Sequence, residues 1–539
     1  MSTSESQKKL KALLKRRHPE YEDKLPHWEF LRSSYEGGRE WFTPNIFRYV
    51  KEGDKEYKDR VGRAYRFNHT REVVDLVDKY LFKMEIFRKE VDAPESVKSF
   101  WRHATLNRLS IDDFMKQVSK MSSIYGRIWI VVDTTKTNDV VTVADEKNAG
   151  VRAYAYFITP EHLCDISYDE LGEINWALVH EQVRDDENPL DSSGKMIDRY
   201  RLWTREDWTL FTVRKNSSSD RRMTAKQLAD SVRNGEKGGV IETASPNSSM
   251  TIEQEGPFQH QFNCVPIFPA DNVISNEPYT SSSLIDDVAY LDRAATNYLS
   301  NLDAIIQDQT FSQLVMPAQG LVPGEDGYDK IIEMGTKRIF TFDGEAGSPA
   351  YISPDVKQAE IILKVINKII NEIYHTVGLA GERTKEDNAM GIDNSSGVAK
   401  AYDFERVNSL LASKADSLEV TENRIAELVA KLSGDELEES LIHYPDNFDV
   451  RGLYDEFEIA ARLSIIEAPD EMRREQMKGV IDKLFPKLAK DLKEKMVAEL
   501  KTWPPKLIDP VTGQEVGGDQ KSSVREAGKN SLANKLAKE

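Results

Sequence analysis

The clearest pattern of apolar and polar positions lies between residues 280 and 398. Over 284–309, Leu284, Val288, Leu291, Ala295, Tyr298, Leu302 and Ile305 recur at alternating steps of four and three, which predicts a helix with a seam for another helix. Asp286, Asp292, Asp303 and Asp308 fall at or outside the edges of that seam and are expected away from it. Over 355–377 a second helix is expected, opened by the cap Ser353, Pro354 in the first turn and Asp355 at the positive dipole end. Lys357, Glu360, Lys364, Asn367, Lys368, Asn371, Glu372 and His375 fall within an arc of about 140°, at about 100° per residue, interrupted by Ile361 alone. Ile362, Val365, Ile366, Ile369, Ile370, Ile373 and Val377 take the other side. So wide an apolar surface predicts a helix packed on nearly all sides, with one charged stripe in water. Between the two helices, 311–351 has short apolar runs such as Leu314-Val315-Met316 and Ile339-Phe340-Thr341-Phe342, punctuated by glycine and proline. That is the pattern of a small β insert. The second helix should stop at Gly378. Residues 379–396 then have no apolar period, and a loop of that length between helices is usually functional or mobile.

Around this centre the chain reads as α+β. Residues 1–23 form a basic arm with Leu10, Leu13 and Leu14 on one helical face, expected as a frayed surface helix, with nucleic-acid contact as the other reading. Aromatic residues are dense from Trp28 to Tyr49. Helices are expected over 70–82, capped by Asn68 or Thr70, and from the cap Ser110 to about 124. Strands follow at 126–133, 151–158, 174–183, 198–203 and 208–213, separated by polar loops at 185–195 and 215–246. Val265-Pro266-Ile267-Phe268-Pro269 closes this half. A helix of about ten turns spans 397–432, a strand follows at 441–444, and further helices at 457–467 and 470–500 break at Ala468-Pro469 and near Pro486. The remainder beyond Trp503-Pro504-Pro505 is rich in Gly, Ser and Lys and is expected to be disordered. The sequence has no internal repeat at periods of 20 to 50 residues.

Composition narrows the function more than it refines the fold. The chain has 539 residues, 39% hydrophobic and 30% charged, a soluble globular balance with no run of about 18 apolar residues. The lysines and arginines between Lys8 and Arg17 do not lead into the apolar core of a signal peptide, which points to the cytosol or a particle assembled there. Only Cys164 and Cys264 are present, too few for a disulfide framework or a CxxC zinc site. A net charge of −18 argues against an outer surface that grips DNA, though not against a protein that surrounds DNA without holding it.

Catalytic patterns are missing. Gly335-Thr336-Lys337 and the run from Gly381 to Lys385 lack the spacing of a phosphate-binding loop. His180-Glu181 has no second His four residues after the first. Asp112-Asp113 and Asp286-Asp287 begin helices, where acids serve the dipole and the cap more simply than Mg²⁺. No serine sits in a GxSxG elbow. The reading is a structural or binding protein without cofactor or metal and not an enzyme. The alternatives are a DNA-processing enzyme or accessory subunit with an unrecognised metal site, and a monomeric adaptor.

Several strings, taken in order, resemble the portal proteins of tailed bacteriophages of the siphovirus-like kind. They are Tyr35-Glu36-Gly37-Gly38, Arg63-Ala64-Tyr65-Arg66-Phe67-Asn68 leading into Val73-Val74-Asp75, Asp112-Asp113-Phe114 with Tyr125-Gly126-Arg127, and Ser396-Gly397-Val398-Ala399-Lys400. The resemblance implies a portal fold: an α/β wing (24–279 and 397–450), stem helices (280–309 and 354–378), a β-rich clip (310–353), a tunnel loop (379–396) and a helical crown (451–503), with a disordered tail (504–539). It implies a dodecameric ring at one capsid vertex of a virion, assembled in the host cytoplasm, through which double-stranded DNA is packaged and ejected. The implied partners are terminase, major capsid and scaffolding proteins, and head-completion proteins at the clip; no membrane is involved. On this reading Lys357, Lys364 and Lys368 face the channel. Arg383, Lys385, Glu386, Asp387, Asn388 and Met390 belong to the loop nearest the DNA.

Overall fold

Six consecutive residues from Arg127 to Val132 are buried in strand β2 (Arg127–Thr134), so both faces of this strand are covered. In the computed structural model β2 is the middle of a three-stranded sheet, antiparallel to β3 (Ala153–Ile158) and β9 (Ile267–Asp271). Two helices pack on that sheet: α7 (Ile111–Tyr125) and α10 (Gly397–Leu432). The structure describes residues 3–50, 52–135, 151–186, 192, 194–215, 250–309, 313–317, 339–342, 350–352, 357–379, 397–437, 439–446, 448, 469–484 and 490–501. The chain divides into two units, Met1–Phe448 and Asp449–Glu539.

The start of α7 is the expected one, because Ser110 Oγ accepts from the Asp113 amide at 3.2 Å. Its end depends on a glycine. Gly126 has φ +82, and a Cβ there would lie 2.0 Å from the Ser281 carbonyl oxygen. Only a residue without a side chain lets the segment that leads into the first central helix pass this close. Ser283 Oγ donates there to the carbonyls of Ser123 and Ile124 at 2.9 and 2.8 Å.

A second sheet is an antiparallel meander of β4 (Leu163–Tyr168), β5 (Ile174–Arg184), β6 (Met196–Thr204), β7 (Asp207–Lys215) and β8 (Met250–Gln259), in that order. The periodicity anticipates β5, β6 and β7 but neither flanking strand. β8 carries Glu253, Gln254 and Glu255, a polar pattern suited to a solvated edge and therefore silent to an apolar-alternation test. The basic arm is not frayed. Leu14 of α1 (Thr3–Leu14) is buried against Phe211 and Val213 of β7, and Arg16 pairs with Asp165. The leucine face read as surface has a sheet to cover it.

The remaining elements fasten α10 to the N-terminal half. β1 (Phe87–Arg88) pairs with β13 (Ile442–His443), and buried Glu422 of α10 accepts from Arg88 Nε at 2.6 Å and from Tyr444 OH at 2.7 Å. Ser417 Oγ donates to the Asp271 carbonyl at 2.7 Å. Between the central helices, β10 (Gln313–Pro317) runs parallel to β11 (Ile339–Phe342) and antiparallel to β12 (Ala350–Ile352), the small β insert that the punctuated runs predict. In the second unit, α11 (Asp470–Leu484) and α12 (Lys490–Leu500) are helical; the expected helix at 457–467 and the tail lie outside the described residues.

Lys414 of α10 is wholly buried, yet its ammonium has three acceptors: the Ser119 carbonyl at 3.0 Å, Ser122 Oγ at 3.3 Å and Asn272 Oδ1 at 3.0 Å. Burial lowers its pKa to about 8, with Asp78 opposing the shift; burial raises that of Asp78. Because the folded value lies below the unfolded one, the folded state binds fewer protons between about pH 8 and 10.4, and stability rises with pH across that window. The unfolding free energy of wild type minus that of Lys414→Met should grow by about 2 kcal/mol from pH 8 to 10.4. A flat difference in urea denaturation would contradict the burial of a titrating lysine.

Candidate functional site: the paired central helices

Helices α8 (Asp286–Gln309) and α9 (Lys357–Thr376) pack along each other. The buried side of α8 is rotated from the expected seam. Val288, Ala295 and Leu302 are buried as predicted, but Ile285, Ala289 and Leu299 join them, while Tyr298 is exposed and Leu284, Leu291 and Ile305 are half-buried. The largest departure is Asp292, only 1% exposed although expected outside the seam.

The reason lies in α5 (His69–Leu81) and the turn before it. Asp292 Oδ2 accepts from the Thr70 amide at 3.1 Å, from Thr70 Oγ1 at 2.8 Å and from Arg66 Nε at 3.1 Å. It therefore caps one of the orphan amides of α5 while Asn68 Oδ1 takes another, from Arg71, at 3.0 Å. A carboxylate at a helix N-terminus beside a guanidinium is stabilised there, which outweighs the periodicity that would have turned it to water. Further along α8, Asn297 Oδ1 accepts from the Phe47 amide at 2.9 Å and Ser300 Oγ from Arg60 at 3.0 Å. Arg60 is itself held by Glu52, whose pKa the Arg60 hydrogen bonds depress. The aromatic-rich segment before α5 thus grips the polar flank of α8. Sequence reading missed Arg60 and gave Arg66 no role beyond its place in a family-like string; two arginines set among tyrosines and tryptophan were the available signal.

On α9 all eight polar-stripe residues are exposed, while Ile366, Ile370, Ile373, Tyr374 and Val377 are buried. The single chain does not cover the rest of the apolar surface. Leu363 is 46% exposed and Ile362, Val365 and Ile369 are half-buried, so the helix is packed on one side and not on nearly all; Ile361, within the polar stripe, is exposed with it. Lys357, Lys364 and Lys368 share the exposed face with Glu360 and Glu372. At 1.5 Å per residue they stand about 10 Å and 6 Å apart along the axis.

The far end of α9 is closed by the predicted glycine. Gly378 has φ +74; its amide donates to the His375 carbonyl at 3.1 Å and the Leu379 amide to that of Tyr374 at 2.7 Å, the paired bonds of a Schellman cap. Leu379 is fully buried, and Arg406 of α10 reaches His375 O at 3.4 Å. Arg383, Lys385, Glu386, Asp387, Asn388 and Met390 lie outside the described residues.

No competing chemistry gathers elsewhere among the described residues. Asp112 pairs with Arg88 at 2.8 Å, His180 meets Asp198 at 3.2 Å, and burial pushes the Cys164 thiol up to about 11. Among the described residues there is no group of three or more His, Cys, Asp or Glu placed to hold a metal, and no helix long and apolar enough to cross a membrane.

A family model described as "Phage portal protein, SPP1 Gp6-like" matches residues 14–468, which include α8, the β insert and α9. None of the curated proteins matches. Among solved structures, one titled "Neck of empty GTA particle computed with C6 symmetry" aligns with TM-score 0.38 and 9% identity, over 87% of this chain and 92% of that one. Another, "Virion of native gene transfer agent (GTA) particle", aligns with TM-score 0.36 and 10% identity, over 83% and 98%.

Asp292→Ala would strand Arg66 in the interior and uncap α5. It is expected to cost about 3–5 kcal/mol in chemical denaturation. A loss below about 1 kcal/mol, the scale of an exposed ion pair, would show that the pair does not hold α8.

Proposed function

The chain belongs to the phage portal proteins of the SPP1 Gp6-like family, and from that premise we propose that it assembles as a dodecameric ring whose channel carries double-stranded DNA. Portal proteins are structural parts of the particle rather than catalysts. The residue-level reading is that α8 and α9 are the stem, with the β insert of 310–353 as the clip. Residues 24–279 with 397–450 are the wing, 451–503 the crown and 379–396 the tunnel loop, with Arg383, Lys385, Glu386, Asp387, Asn388 and Met390 nearest the DNA.

The observation that carries this reading is the exposure of the whole polar stripe of α9 opposite a buried face. In a ring, Lys357, Lys364 and Lys368 become three stacked circles of positive charge facing the channel. They supply short-range contacts to phosphate. The acidic excess of the protein keeps the wall from adhering to the duplex, because attraction everywhere would stall sliding. Leu363, exposed beside that stripe, suits a contact between subunits, which an isolated chain leaves open. Terminase would dock on this ring during packaging, capsid and scaffolding proteins would surround it at the vertex, and head-completion proteins would meet the clip. The particle would be built in the host cytoplasm.

Negative-stain images and mass measurement of the purified chain test the assembly, with a large ring enclosing a central hole expected. A monomer would favour the adaptor reading instead. Replacement of Lys357, Lys364 and Lys368 together by Ala should leave the ring mass unchanged and reduce packaged DNA severalfold. Normal packaging by that variant would remove the lysines from the channel assignment.

A further inference from the structure

Three arginines around α8 lie on aromatic rings, and two of them also hold a carboxylate. Arg60 stands 4.0 Å from the Tyr49 ring and pairs with Glu52. Arg66 stands 4.1 Å from the Trp41 ring and pairs with Asp292. Arg293, on α8 itself, has three rings about it: Phe30 at 4.6 Å, Tyr290 at 4.9 Å and Phe47 at 5.3 Å. It has no acid. Among the described residues its guanidinium makes no hydrogen bond or ion pair.

We infer that Arg293 is a docking point for a carboxylate from the adjoining copy of this chain in the ring, an inference that rests on the ring reading above. A guanidinium stacked against rings keeps its N–H donors in the plane, directed away from the aromatic faces. Three rings also hold it in place, so little rotamer freedom remains to be lost on binding. Two of the rings around it are open to solvent: Phe47 is 56% and Tyr290 43% exposed. A neighbour covering these groups would dry the site and strengthen the ion pair. Arginine and tyrosine in a patch that a partner desolvates are among the residues enriched at interface hot spots.

The occupant follows from charge and symmetry. A ring contact is heterologous, so one patch on a copy meets a different patch on the next. With 91 Asp and Glu against 73 Lys and Arg, the chain is rich in the acids that such a basic aromatic patch requires. A second copy thus supplies both the carboxylate and the cover.

The test uses the full-length chain in a dilution series read by mass photometry, at low and high salt. Arg293→Gln should raise the concentration at which rings dissociate by about tenfold or more and weaken the salt dependence. Arg293→Lys, which keeps charge but loses the planar fork, should fall between. Circular dichroism and the unfolding midpoint report whether each variant is folded; if the glutamine variant is not, the lysine variant decides. Rings of Arg293→Gln as stable as wild type overturn the inference while leaving the ring reading intact. Wild type that stays monomeric overturns the ring reading itself. Unchanged ring stability with weakened binding of duplex DNA would make Arg293 a phosphate contact and likewise overturn the proposal.

Discussion

The first turn of α5 is the junction on which the central helices depend. Asp292 of α8 reaches it as a cap and as the partner of buried Arg66. Tyr374 of α9 reaches it through Glu72 and, at 3.2 Å, His69. A buried carboxylate is tolerable only when its lone pairs and charge are matched, and the geometry that matches them is narrow. Meeting that demand fixes the rotation of α8 about its axis. This rotation in turn sets which side of α9 is covered and which row of side chains stays in water.

The same physics recurs in the body behind these helices. Arg88 with Glu422, Arg127 with Asp271 and Lys414 with its three acceptors each join segments far apart in the chain. Most of them bring α10 back onto elements of the first half, so the long helix after the central pair belongs to the unit that holds that pair. These pairs add little net stability compared with apolar packing, but losing one partner strands the other. They therefore fix which segments meet more than they add to stability.

Arg293 differs from these pairs in having no acidic partner among the described residues. It sits on the surface of the gripped helix, already stacked and desolvated on its faces, beside exposed Phe47 and Tyr290. Local periodicity marks neither it nor its surroundings as unusual. Only the comparison with Arg60 and Arg66, which share its stacking and hold an acid as well, sets it apart.

What the sequence determined by itself is what depends on neighbours a few residues away. The helices α5, α7, α8, α9 and α10, the strands β2, β3, β5, β6 and β7, the cap at Ser110, the stop at Gly378, the β insert and the polar stripe of α9 follow from spacing and local backbone chemistry, and the ordered motifs carried the family resemblance. Tertiary structure decided the rest. It buried Asp292, which periodicity set at or outside the edge of the apolar seam, and gave the leucines of α1 a sheet to rest on. It joined β4 and β8 to strands that alternation had found, and it left Leu363 uncovered within one chain. The physical reason is the same in each case: a charge or a half-apolar face takes its place from the partner that satisfies it, and these partners lie too far along the chain for any local pattern to register.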